Sequence, residues 1–202
     1  MRLIMNIDEE KSRIRKEIKR RRLGLPSDVL KNIDMILPEF ILAIDDEELQ
    51  SKLKKAKRIA LYRDVNGEVP MSGLAKAFMA KGIKCCFPRV EGDRMVFCDC
   101  EDLGKDFEEA SFGIKEPVSS KAAVDPKDID VVVLPAVAYN EEGTRLGMGG
   151  GFYDRFADSC GNKKPYFLGV CYEFQICSDV PSGTHDMTSD FIAVIPEEVY
   201  GE

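Results

Sequence analysis

"DIDVVVLP", residues 128–135, is the stretch from which the fold of this chain is read. Three valines and a leucine follow one another without a polar alternate. A strand of that kind is buried on both faces, as in a parallel sheet, and a sheet buried on both faces needs helices on both. The neighbouring stretches agree. "RIALY" (58–62), "MSGLAKAFMAKG" (71–82) and "IKCCFP" (83–88) read as strand, helix and strand, the pattern of a right-handed parallel crossover. "MVFCDC", "YFLGVCY" (166–172) and "DFIAVI" (190–195) supply further strands. Between the first strand and the helix lies "RDVNGEVP", with Asn66-Gly67 as its strongest turn signal. Toward the N-terminus, residues 8–23 read as a helix closed by Gly24-Leu25-Pro26. A second helix starts near Ser27-Asp28 and is expected to break at Pro38, and "DDEELQSKLKKA" forms a short third. Residues 104–128 read as irregular. The expectation is one α/β domain over residues 1–202, with a mainly parallel open sheet and helices on both faces.

The chain has 202 residues, enough for one substantial core and short for two. Its net charge of −7 argues against a general nucleic-acid binder, which needs a basic surface. No apolar run approaches a membrane span, and "MRLIMNIDEEK" turns acidic before a signal-peptide core develops. A cytoplasmic protein, acting as a monomer on small molecules and binding neither nucleic acid nor membrane, is expected. Seven cysteines without a Cys-x-x-Cys pair argue against zinc and for reduced thiols. Cys98 and Cys100 alternate with Val96 and read as small core residues.

The strand at 128–135 leads into "GTRLGMGGGFYDR" (143–155), which holds five of the chain's 16 glycines. Glycine costs conformational entropy on folding, so the cluster is either a loose or tightly turned surface loop or a backbone that must approach something closely. Its place between a central strand and a helix at 152–159 favours the second. Ligands collect beyond the carboxyl ends of strands in open α/β sheets. Consecutive glycines let N–H groups converge on an anion, and a helix N-terminus adds its positive end. Arg145 adds a planar fork of donors for phosphate. Asp154, a carboxylate beside an anion site, makes sense if a magnesium ion bridges it to phosphate oxygens. Neither the P-loop nor the Gly-x-Gly-x-x-Gly pattern is present, since Phe152 stands where the third glycine would fall. Between Lys11 and Arg22 there are eight bases and one acid, most of them expected on a solvated face. Lys11 and Arg15, four apart, share a helix face and could share one anion.

The segment "LPAVAYNEEGTRLGMGGGFYDRF" (134–156) resembles the hallmark of the 5-formyltetrahydrofolate cyclo-ligase family, also called methenyltetrahydrofolate synthetases. The likeness extends over nearly the whole chain, through Lys11 and Arg15, "IALYRDVNGEV" (59–69), "FPRV" (87–90), "FGIKEP" (112–117), "LGVCYEFQ" (168–175) and "THDMTSDFI" (184–192), in that order. The resemblance implies an enzyme that uses ATP and magnesium to turn 5-formyltetrahydrofolate into 5,10-methenyltetrahydrofolate. It implies that Lys11 and Arg15 hold ATP phosphates, and that Arg145, Leu146, Gly147, Met148, Gly149, Gly150, Gly151, Phe152 and Tyr153 wrap the triphosphate. Arg145 and Tyr153 are implied as catalytic. Glu68, with Arg63, would contact the folate, which would meet the γ-phosphate at Gly149 to Phe152. Asp154 and Asp186 would ligate magnesium. The chain departs from the family at Pro70-Met71, at Phe152 in place of a tyrosine, and at Tyr139-Asn140.

Sugar-phosphate isomerases and CoA transferases share the parallel plan but leave the Arg145 and Asp154 arrangement unexplained. An RNA-binding module on the basic helix would lack interleaved aromatics. The single histidine, His185, is expected in a structural or turn role, because phosphoryl transfer needs positioning and charge more than a Ser-His-Asp arrangement.

Overall fold

The computed structural model describes residues 6–110, 113–140, 142–178, 180–181 and 187–201. His185 and Asp186 lie outside the described residues. A six-stranded sheet is formed by β1 (Arg58–Ala60), β2 (Lys84–Glu91), β3 (Arg94–Asp99), β6 (Val131–Leu134), β9 (Tyr166–Tyr172) and β10 (Phe191–Ile195). Its order is β10-β9-β6-β1-β2-β3. β1 pairs in parallel with both β2 and β6, β6 with β9, and β9 with β10, whereas β3 returns antiparallel to β2.

The apolar run at 128–135 lies in the middle of this sheet, and all four residues of β6 are buried. Alternation sends them to opposite sides. Val131 and Val133 join Ile59 and Leu168 under three helices: α2 (Ser27–Ala43), α3 (Glu47–Lys55) and α4 (Ser72–Ala80). Val132 and Leu134 join Ala60 and Phe167 under α5 (Phe152–Ser159). Each face is therefore apolar, as the unbroken run required. Cys98 and Cys100 are buried, and none of the seven cysteines is in a disulfide.

Two expectations are corrected. Pro38 does not break α2, which runs on to Ala43. Proline removes the N–H that would bond the carbonyl of Asp34, four residues back. The first turn of α4 packs on that spot: Gly73 N–H donates to Asp34 Oδ1 at 2.7 Å, and a Cβ on Gly73 would overlap the Asp34 carbonyl oxygen. Tertiary packing thus offsets the local defect. The second correction concerns residues 104–128, which contain an antiparallel ribbon of β4 (Phe107–Glu109) and β5 (Lys115–Pro117). Its strands are too short and too polar to announce themselves by alternation.

The chain order of the strands positions the site. From β1 the chain moves outward to β2 and β3; from β6 it moves the other way to β9 and β10. β1 and β6 are neighbours, so their carboxyl ends diverge at a topological switch point, where α/β sheets open a crevice.

Candidate active site

A cavity of about 520 Å³ lies at that switch point. The turn after β1 supplies Tyr62, Arg63, Val65 and Glu68; the segment after β6 supplies Pro135, Ala136 and the glycine loop. The N-terminal helix α1 (Ile7–Leu23) adds Asp8, Lys11 and Arg15, and the ribbon closes a wall with Ile114, Lys115 and Glu116. A groove of about 800 Å³ opens elsewhere, among Leu42, Leu53, Phe78, Ile83 and several lysines. It sits at the amino ends of β1 and β2, the end where open α/β sheets do not place their ligands.

The glycine loop is presented by a small hairpin, β7 (Ala138–Tyr139) with β8 (Arg145–Leu146). Asn140 shapes its turn, its side-chain oxygen accepting from Thr144 N–H at 2.7 Å and Glu142 N–H at 3.1 Å. Beyond β8 the loop runs to Gly151, which takes φ 65° and precedes α5 without any side-chain cap. A left-handed residue there favours glycine. The first-turn N–H groups of α5 are therefore without a side-chain cap, and such orphan donors are the usual anion contacts of a helix start.

Arg145 is buried beneath this loop. Its Nη1 donates to the Pro135 carbonyl at 3.0 Å, its Nη2 reaches Asp154 Oδ2 at 3.2 Å, and its guanidinium carbon lies 5.4 Å from the Tyr153 ring centre. Arg15 joins from α1, donating through Nε to the Gly147 carbonyl at 2.9 Å. Burial pushes the Tyr153 hydroxyl well above its ordinary range, so it stays protonated and can donate a hydrogen bond. Arg63 stacks over Phe107 of the ribbon at 4.6 Å.

Glu68 sits on the other side. It follows Asn66 and Gly67, both at positive φ. A Cβ on Gly67 would overlap the Arg22 carbonyl oxygen, so the turn lies directly against α1. Burial pushes the Glu68 carboxyl up to about 7, against the opposing pull of Arg22, whose Nη1 lies 3.2 Å from Glu68 Oε1.

The structure thus gathers Lys11, Arg15, Arg63, Glu68 and residues 145–154 around one cavity. Of the two expected metal ligands only Asp154 is described. Among the described residues no cluster of three His, Cys, Asp or Glu side chains could hold a metal ion. One carboxylate at the end of the glycine loop is compatible with magnesium, which takes one or two carboxylates and fills its shell with phosphate and water oxygens. The expected solvated face of α1 needs correction at Arg22, which is 3 % exposed. Its spacing contained the signal, since Ile14, Ile18 and Arg22 fall four apart on one buried stripe. The ribbon residues were missed because only long-range packing brings them to the cavity.

A model of the 5-formyltetrahydrofolate cyclo-ligase family matches residues 7–195. The chain belongs to that family of ligase enzymes. Two curated 5-formyltetrahydrofolate cyclo-ligases illustrate the distance. The mouse enzyme is 24 % identical over 197 residues, covering 92 % of this chain and 94 % of its own. The Haemophilus influenzae enzyme is 26 % identical over 182 residues, covering 89 % and 94 %. Among solved structures, the 5,10-methenyltetrahydrofolate synthetase of Aquifex aeolicus superimposes with a TM-score of 0.74 at 29 % identity, over 91 % of this chain and 89 % of its own. No helix among the described residues is long and apolar enough to cross a membrane.

Proposed function

We propose that the protein converts 5-formyltetrahydrofolate to 5,10-methenyltetrahydrofolate with ATP and magnesium, releasing ADP and phosphate. The observation that carries this reading is the division of one cavity into two chemistries. Lys11, Arg15, Arg145 and the glycine loop supply cations and N–H donors on one side, and Glu68 supplies an acceptor on the other. The first set suits a triphosphate, and the second suits the N–H donors of a pterin ring.

The formyl oxygen is a poor leaving group, and ring closure must expel it. Its attack on the γ-phosphorus breaks the bond to ADP and places the phosphoryl group on oxygen. Attack by N-10 on the activated carbon then closes the ring, and the oxygen leaves with phosphate, which takes up the N-10 proton. This route needs no covalent carrier on the protein. It aligns two substrates and meets the charge that develops on the transferring group, the task of Arg145, Lys11 and Arg15. The neutral Tyr153 hydroxyl adds a donor near Arg145. Gly149 to Phe152 present backbone where the folate and γ-phosphate meet. Asp154, with Asp186 as a second ligand, would hold magnesium, which would supply charge neutralisation. The protein is proposed to act as a cytoplasmic monomer.

Formation of methenyltetrahydrofolate, followed by its absorbance, should depend on ATP, magnesium and 5-formyltetrahydrofolate together. Turnover without ATP, or ATP hydrolysis indifferent to the folate, would overturn the reading.

A further inference from the structure

We propose that Arg22 is a positioning residue for Glu68: through their ion pair behind the cavity it holds that side chain as an oriented carboxylate, and so sets the acid limit of folate binding. This rests on the reading of Glu68 as the pterin contact.

Arg22 is not among the residues that line the cavity. It stands at the C-terminal end of α1, 3 % exposed, on the stripe that Ile14 and Ile18 would otherwise continue. A buried guanidinium is costly, and an apolar residue of similar volume would serve packing at least as well. Nor is it needed by the carbonyl it also meets. Arg22 Nη2 donates to Ala136 O at 2.7 Å, but Gln175 Nε2 already donates there at 2.9 Å. What Arg22 supplies is an opposite charge 3.2 Å from Glu68 Oε1. The other oxygen, Oε2, accepts from Val65 N–H at 3.1 Å. Among the described residues each oxygen thus faces one protein partner, an ion pair at Oε1 and a hydrogen bond at Oε2, which leaves lone pairs for a ligand.

Charge is what makes this pairing useful. A pterin edge offers neighbouring N–H donors, which a carboxylate can accept in parallel and a protonated carboxyl cannot. Burial works against the carboxylate, holding it near 7, and Asp64 in the same turn pushes in the same direction. The other titratable groups facing Glu68 are the phenols of Tyr62, Tyr153 and Tyr172, all raised by burial and neutral. Lys11, Arg15 and Arg145 line the same cavity, around the glycine loop. Arg22 is the cation paired with the carboxyl itself. Because α1 also carries Lys11 and Arg15, one helix serves both halves of the cavity.

The test is 5-formyltetrahydrofolate binding and KM from pH 5.5 to 9 in the wild type, Arg22→Met, Arg22→Lys and Glu68→Gln. Wild-type affinity should weaken as pH falls through about 7. In Arg22→Met that limb should move up by about one pH unit or more, the scale of a lost opposite charge at this range. Arg22→Lys should keep it near the wild-type position, Glu68→Gln should abolish it, and the KM for ATP should not change. If Arg22→Met fails to fold, Arg22→Gln replaces it as the uncharged variant. An uncharged variant with the wild-type limb, or one that weakens both substrates equally with no change in pH profile, overturns the proposal. A ¹³C-NMR titration of the Glu68 carboxyl reads the same upward move with no ligand present. If the wild type binds no folate, the pterin reading fails, while the NMR titration still decides whether Arg22 controls the charge of Glu68.

Discussion

Arg145 Nη2 lies 3.2 Å from Asp154 Oδ2 and 3.4 Å from Oδ1, so one guanidinium–carboxylate pair joins the two ends of the glycine loop. Arg145 is 5 % exposed and Asp154 27 %, which leaves the carboxylate the accessible partner. Met187 N–H, at 3.4 Å from Asp154 Oδ1, steadies it from outside the loop. In the proposed reaction the two residues part their duties, the arginine to phosphate and the aspartate to magnesium.

Replacing Arg145 by Ala should therefore lower kcat by on the order of a hundredfold or more, because a preorganised donor to the developing charge is lost. With the formyl oxygen isotopically labelled, the wild type should deliver the label to phosphate. Label found in water instead would mean that ATP hydrolysis only drives a conformational change.

Asp154→Asn should raise the magnesium concentration needed for half-maximal turnover and lower kcat, with the fold retained by circular dichroism. A neutral amide is a weaker ligand for a hard cation than a carboxylate. Wild-type activity at limiting magnesium would exclude Asp154 as the ligand.

Glu68 should leave a mark on stability as well. Its carboxyl rises from an ordinary 4.5 to about 7 in the folded chain. The folded state then binds more protons than the unfolded one between these values, so the stability associated with protonated Glu68 is complete below 4.5 and lost as pH rises through 7. The loss is on the order of 3 kcal/mol. Urea unfolding from pH 4.5 to 8 should show this decline in the wild type and a flatter profile in Glu68→Gln. Parallel profiles would mean that burial does not raise the Glu68 carboxyl in the folded chain.

Gly67→Ala combines backbone strain at φ 71° with overlap of the Arg22 carbonyl oxygen. Gly82→Ala is strained at φ 78° but meets nothing within 4 Å. The first should cost clearly more than the roughly 1 kcal/mol of the second, since only it must push the turn away from α1. Equal losses in denaturant unfolding would show that the turn does not lean on α1 as described.

Much of the architecture was legible because it rests on local periodicity. The unbroken apolar run of β6 implied two covered faces, and Val131 and Val132 do point to different clusters. Lys11 and Arg15 were legible as a pair because four residues make just over one helical turn. The glycine loop was legible because its glycines cluster between an apolar strand and a helix, and Gly151 does take a left-handed backbone just before α5. Pro38 misled because a lost backbone hydrogen bond is a local event, while the packing of Gly73 on Asp34 that offsets it joins two separate helices.

By itself, then, the sequence determined the main strands and most helices, the family, and the glycine-rich loop between β6 and α5, since each depends on residues close together along the chain. Only the tertiary structure decided that β1 and β6 lie side by side as the switch point. It alone decided that Arg22 is buried against Glu68, and that the β4–β5 ribbon walls the cavity. The physical reason is that burial and ion pairing belong to surfaces brought together from distant parts of the chain, and Arg22 and Glu68 meet only because helix α1 and the Asn66-Gly67 turn pack against each other.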